Sequence, residues 1–199
     1  MSLARKLVSG VALPLLLAAC EEAVEPGNTL NKEESVALMK GVGVTLGQVL
    51  EDSTLTVFAS PDSIIARCPS GGQTRWHSHL TKRTGDTTLV AVRVQINPAE
   101  CSIAADGIQL TIDGAGYLRY FMSLQIIAAT PEVNFSGYIR GGLDWTLDHR
   151  MGYCPIDLRL DAVPDLINRT LTGVYRGWVC YRWVEIDVND AAAFLMMYL

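Results

Sequence analysis

Past its first third the chain alternates between apolar and polar positions. In residues 88–97, Val90, Val92, Val94 and Ile96 take one parity, and Ala91, Arg93 and Gln95 take the other. Ile108, Leu110 and Ile112 alternate with Gln109, Thr111 and Asp113. Leu143, Trp145 and Leu147 alternate with Asp144, Thr146 and Asp148, and Ile156, Leu158 and Leu160 with Asp157, Arg159 and Asp161. A period of two with one apolar face is the mark of antiparallel strands covered on one side. Segments 53–59, 74–81 and 118–128 add less regular strands. "LTIDG" at 110–114, "VNFSG" at 133–137 and "TLTG" at 170–173 close apolar runs with a polar residue and Gly, as turns or bulges do. Their glycines lie 23 and then 36 residues apart, too uneven for a repeat array.

Residues 174–186 differ, because large apolar groups fall on both parities. Tyr175, Tyr181 and Trp183 stand against Val174, Trp178, Val184 and Ile186. Such a strand is either central, with residues 31–51 as its cover, or reset in register at Gly177. The tail "AAAFLMMYL" at 191–199 is expected to dock as a helix or an edge strand.

Ahead of the strands the period is helical. Val36, Met39, Val42, Leu46 and Val49 or Leu50 recur at turn spacing, and Asn31 with Glu34 forms a capping signature. Gly41, Gly43 and Gly47 weaken this helix, each by up to ~1 kcal/mol relative to Ala. The pattern predicts a mainly β fold: an antiparallel β-sandwich or rolled barrel of roughly eight to ten strands with one N-terminal helix.

The first residues read differently again. Arg5 and Lys6 precede an apolar or small run from Leu7 to Ala19, shorter than the ~20 residues of a membrane-spanning helix. A charged head, an apolar middle and a small-residue exit mark a secretory signal. The exit, Leu17-Ala18-Ala19-Cys20, resembles the lipobox of bacterial lipoproteins. That resemblance implies a diacylglyceryl group on the Cys20 sulfur and cleavage that leaves Cys20 first. Two or three acyl chains make a durable anchor where one does not. The expected organisation is therefore a signal peptide at 1–19, a lipidated Cys and tether at 20–30, and one β-rich domain at 31–199. Glu21, where Asp would favour the inner membrane, implies the outer membrane, facing the periplasm. The body, with "RCPSGG", "GYCPIDL" and "GWVC", resembles uncharacterised β-rich lipoproteins of Gram-negative bacteria, which carry no known activity.

Without residues 1–19 the chain has 14 Lys and Arg against 21 Asp and Glu, a formal charge of −7. An acidic body does not suit nucleic acid. The expected partners are the membrane, through the lipid, and another envelope protein or the cell wall. Cys68, Cys101, Cys154 and Cys180 remain, an even number in an oxidising compartment. Three pairings exist. Sequential pairing, Cys68 with Cys101 and Cys154 with Cys180, is favoured because each pair brackets a hairpin or meander. No C-x-x-C pair supports a zinc site.

Two clusters carry candidate chemistry. His77 and His79 share one strand face beside Arg75, a weak metal pair with no further ligand nearby in sequence, and His149 could join only by long-range approach. If 143–148 and 156–161 form a hairpin, Asp144, Asp148, Asp157 and Asp161 share its outer face, with Arg159 among them. That is a candidate patch for a hard cation such as Ca²⁺, or else a solvated face. A glycosidase-like carboxylate pair is a weaker reading. Neither G-x-S-x-G nor H-E-x-x-H occurs, so no catalytic residue and no cofactor is assigned. The expected role is structural or in protein interaction, with outward Tyr138 and Tyr120 as contacts. The alternatives are a carrier whose cavity is lined by Trp76, Trp145, Phe135 and Ile139, and a hydrolase.

Overall fold

A computed structural model of the chain describes residues 29–52, 63–114, 116–127, 129, 133–165 and 170–188. The leader, Cys20, the strand expected at 53–59 and the tail at 191–199 lie outside the described residues.

One helix precedes ten strands. They are α1 (Lys32–Asp52), β1 (Ile64–Arg67), β2 (Gln73–Arg83), β3 (Thr87–Ala99), β4 (Cys101–Ala105), β5 (Ile108–Asp113), β6 (Leu118–Ile127), β7 (Val133–Leu147), β8 (Arg150–Asp165), β9 (Thr170–Val179) and β10 (Arg182–Asp187). All ten described strands belong to one sheet, and every pairing is antiparallel. The fold is mainly β with one N-terminal helix, as the alternation predicts. Among the described residues β1 and β10 end the strand order without pairing with each other, so the described sheet is not a closed barrel.

The topology is simpler than ten strands imply. Only Glu100 separates β3 from β4. Pairing runs on across that point, with Ile96 opposite Leu118 and Cys101 opposite Ile112. β3–β4 and β5–β6 are thus two bent ribbons, and β7 pairs along both halves of the second, Tyr120 opposite Ile139 and Ile112 opposite Trp145. Each ribbon lies beside its neighbour in sequence.

A crease crosses the sheet. Glu100 has φ 50°, Gly116 117°, Gly141 141° and Gly177 149°. They fall on β3–β4, β5–β6, β7 and β9, with β8 lying between the last two. The Glu100 amide donates to Asp113 Oδ1 at 2.6 Å, and the Gly114 amide to the Pro98 carbonyl at 2.9 Å. A Cβ on Gly141 would strike the Tyr117 carbonyl, and one on Gly177 the Asp157 carbonyl. Close backbone approach with positive φ is where a strand requires glycine. Gly177 therefore bends its ribbon without resetting the register, since it still stands opposite Val184 and Leu158.

The apolar parity of each strand faces inward. Val90, Val92, Val94, Ile96, Leu110, Ile112, Leu143, Trp145, Ile156, Leu158 and Leu160 are buried in a core that includes Leu38, Met39 and Val42 of α1. Trp76 and Ile139 belong to that packed cluster, and Phe135 is partly buried against it, so the four residues proposed to line a cavity are core. Tyr120 also points inward and is buried beside Leu118 and Leu124, against the expectation that it faces out. Its parity is that of the apolar members of its strand. Thr74 Oγ1 and the indole nitrogens of Trp76 and Trp145 are buried without a hydrogen-bond partner.

α1 packs on β4, β5 and β10, so it bridges distant parts of the sheet. Its start is a reciprocal capping box. The Asn31 amide donates to Glu34 Oε2 at 2.8 Å, and the Glu34 amide to Asn31 Oδ1 at 2.9 Å. Glu34 also pairs with Arg150 at the head of β8. Gly41 fits because the helix is pressed on β4; a Cβ there would lie 3.0 Å from Ile103 Cδ1.

Two disulfides join Cys68 to Cys101 and Cys154 to Cys180, the sequential pairing. The first ties the β1–β2 turn to the bend at Glu100. The second ties β8 to the β9–β10 turn.

Candidate functional site

The expected cation patch does not form. The two-residue turn at Asp148 and His149 sets Leu147 opposite Arg150, and the register then follows. Asp144 falls opposite Tyr153, and Asp157 opposite Arg140. Asp144 and Arg140 are four residues apart on one strand, about 13 Å. Asp144, Asp157 and Asp161 lie on the outer strand face, whereas Asp148 sits in the β7–β8 turn. Asp157 Oδ1 accepts from Arg140 Nε at 2.9 Å, and Asp161 Oδ2 from Arg176 Nη1 at 2.9 Å. Like charges in neighbouring strands repel, and interleaved arginines remove that repulsion. His77 and His79 are exposed, opposite Gln95 and Arg93, and His149 sits in the β7–β8 turn. Among the described residues no group of three His, Cys, Asp or Glu side chains is placed to hold a metal.

The outer face carries something else. Trp178, Tyr181 and Trp183 are 54%, 54% and 50% exposed, and Tyr153 on β8 is exposed as well. Trp178 and Trp183 stand opposite each other in the β9–β10 hairpin. Their rings meet edge to face, 5.6 Å between centroids with planes at 80°. One indole forms a floor and the other a wall. Beside them Pro155, Ile156, Asp157, Trp178 and Tyr181 line a shallow hollow of about 150 Å³. Tyr153 lies over Gly142, where a Cβ would collide with its ring, so the missing side chain on β7 is replaced by an aromatic from β8.

The hairpin turn that presents Tyr181 is strained. Cys180 and Tyr181 both adopt left-handed backbone, φ 50° and 64°. Two-residue hairpin turns of this type normally use Asn and Gly. A non-glycine residue held there costs about 1–3 kcal/mol and persists only where its surroundings enforce it. Here the Cys154–Cys180 bond and the hydrogen bond from the Cys180 amide to the Pro155 carbonyl, 2.9 Å, enforce it.

This turn also explains the aromatics on both parities. Tyr175, Gly177 and Val179 face inward on β9; after two turn residues Val184 and Ile186 take over on β10. The parity flips, and Trp178 and Trp183 come to lie on the same outer face. Sequence reasoning missed the site because no Asn-Gly or Asp-Gly signal marks residues 180–181. The parity flip itself was the available signal.

Charged groups surround the rings in near balance. Arg140, Arg159 and Arg176 share the face with Asp144, Asp157, Asp161 and Glu185, and Arg176 also reaches Glu185 Oε1 at 3.2 Å. A second aromatic group lies further along the same face. Tyr138 stacks on Phe121 at 5.2 Å under the Arg140 guanidinium, so this outward tyrosine is largely covered by its neighbours. Comparisons with family models, curated proteins and solved structures gave no match.

Proposed function

We propose that this chain is an exported, lipid-anchored binding protein of the bacterial envelope that presents the outer face of β8–β10 to a partner. The observation that carries this reading is the rigid aromatic corner at Trp178, Tyr181 and Trp183, half exposed and held on a strained, disulfide-pinned turn. Exposed Trp and Tyr beside Arg are the residue types that dominate binding surfaces, and contiguous apolar exposure on a protein surface is often functional. Support for export comes from the leader, and two disulfides suit an oxidising compartment. Support for the anchor is Leu17-Ala18-Ala19-Cys20 alone. No helix among the described residues is long and apolar enough to cross a membrane.

Two measurements in cells test the reading. Metabolic labelling with a palmitate analogue is expected to mark the chain and to fail on Cys20→Ser. A photo-crosslinking amino acid at position 181 is expected to capture a discrete partner, whereas the same probe at exposed His79 does not. Absence of any adduct at 181, to protein or to glycan, would refute the binding face.

A further inference from the structure

We infer that the aromatic corner binds a glycan chain that carries N-acetylated hexosamines. The inference rests on the binding face proposed above and names its ligand class.

Size argues first. Each aromatic side chain of this kind offers ~150–250 Å² of surface. With half of three rings exposed, the patch amounts to roughly 300 Å², below the ~800 Å² that each partner contributes to a stable protein interface. It suits a narrow ligand that gains affinity by repetition.

Charge argues next. The outer face here carries Arg140, Arg159 and Arg176 against Asp144, Asp157, Asp161 and Glu185, and three pairs form among them, Arg140–Asp157, Arg176–Asp161 and Arg176–Glu185. The face offers no excess of positive charge to a polyanion, which disfavours nucleic acid and anionic headgroups. It offers instead fixed carboxylate oxygens and guanidinium N–H groups beside apolar planes. A pyranose ring matches that arrangement. Its C–H face stacks on an indole, while its hydroxyls lie at the rim and exchange hydrogen bonds with planar charged groups.

Shape supplies the acetamido group. The hollow is lined by Pro155, Ile156, Asp157, Trp178 and Tyr181 and is mainly apolar. A sugar stacked on Trp178 against the wall of Trp183 places a ring substituent toward this hollow. An N-acetyl group fills it: the methyl enters the apolar space and the amide N–H donates to Asp157. Arg140 holds that carboxylate in place at 2.9 Å.

The test uses the exported chain with both disulfides intact. Chitohexaose, a β-1,4-linked N-acetylglucosamine oligomer, and cellohexaose, its counterpart lacking the acetamido groups, are titrated by calorimetry and by tryptophan emission. Chitohexaose is expected to bind saturably, shift the emission and protect Trp178 and Trp183 from acrylamide quenching. Cellohexaose is expected to bind at least tenfold more weakly. Trp178→Ala and Trp183→Ala should each lose at least tenfold in affinity, and Trp178→Phe should recover part of the loss. Quenching protection in the unmutated chain keeps the test valid if an alanine variant fails to fold. No saturable binding to chitohexaose, equal affinity for both sugars, or binding that leaves both exposed tryptophans quenchable would each overturn the inference. A protein adduct at position 181 without glycan binding would overturn it and leave the binding face standing; no adduct and no glycan binding would remove both.

Discussion

The ion pair between Glu34 and Arg150 is expected to fasten the only described helix to the sheet, and its contribution is measurable. Glu34 serves two elements at once: its carboxylate caps the start of α1 and receives the Arg150 guanidinium from the first residue of β8. The Glu34 side chain is 12% exposed and Arg150 is 37% exposed. Hydrogen bonds to charged groups contribute about 1.5–3 kcal/mol when buried. Solvent screening of the half-open arginine brings the expected coupling down to about 1–2 kcal/mol. The perturbation is a double-mutant cycle of Glu34→Gln, Arg150→Met and the pair, read by urea unfolding, because the cycle isolates the pairwise part. Its pH dependence has a definite sign. Burial raises the Glu34 pKa, but the Arg150 hydrogen bond, the Asn31 amide and the Arg150 charge outweigh it and leave the pKa below its usual 4.5. A carboxylate with a lower pKa in the folded state stabilises at neutral pH, and the contribution fades as pH falls below that usual value through the folded one. The coupling should therefore be full near neutrality and vanish in acid. A coupling under about 0.5 kcal/mol, within the usual additivity error, or one unchanged by acidification, would refute the argument.

Three further outcomes follow from the packing. Thr74→Val replaces an unpartnered buried hydroxyl with a methyl and should raise stability by about 1 kcal/mol, read as a higher urea midpoint at constant slope. Replacing Cys154 and Cys180 by Ala opens a cross-link of sequence separation 26 and should lower stability by about 3–4 kcal/mol, measured against the Cys68 and Cys101 double variant as a comparator. Burial holds the phenols of Tyr120 and Tyr175 above the ordinary 10.0, and for Tyr120 the neighbouring Tyr175 adds to it. Their neutral forms stabilise the fold fully below that value and lose this contribution as pH rises above it. Phenolate absorbance should show these two ionising only with unfolding; their ionisation in the native protein would contradict their burial.

Strand faces were legible wherever polar residues separate apolar ones. Val90 to Ile96, Leu143 to Leu147 and Ile156 to Leu160 read correctly because alternation is a local property of the chain. The cap at Asn31 and Glu34 read correctly for the same reason, and the sequential disulfides because each closes a run of consecutive strands. Register was not legible. The four aspartates shared a face in the sequence, yet whether they meet depends on where the β7–β8 turn falls, and a shift of a few residues along a strand separates charges by more than 10 Å. The aromatic corner was hidden by a turn whose residues are the wrong types for its conformation. A disulfide, which acts at long range, stands in for the local propensity that Asn and Gly normally supply. Gly41 misled in the opposite sense: it reads as a weak helix position, whereas its lack of a side chain lets α1 approach Ile103.

The neighbour-to-neighbour order of the sheet carries a consequence for how the molecule comes into being. A meander can grow one ribbon at a time, because each arriving strand finds its partner already in place and only short loops need closing. α1 is the exception. It is made first, but its contacts include β10, and the Leu30 carbonyl beside its start accepts from Arg182 Nε, at 3.5 Å, near the far end of the described chain. The first element thus waits for the last before its packing is complete. Chains cut before residue 182 would carry an assembled sheet with an unsealed core, a species that quality-control proteases can distinguish from the finished protein.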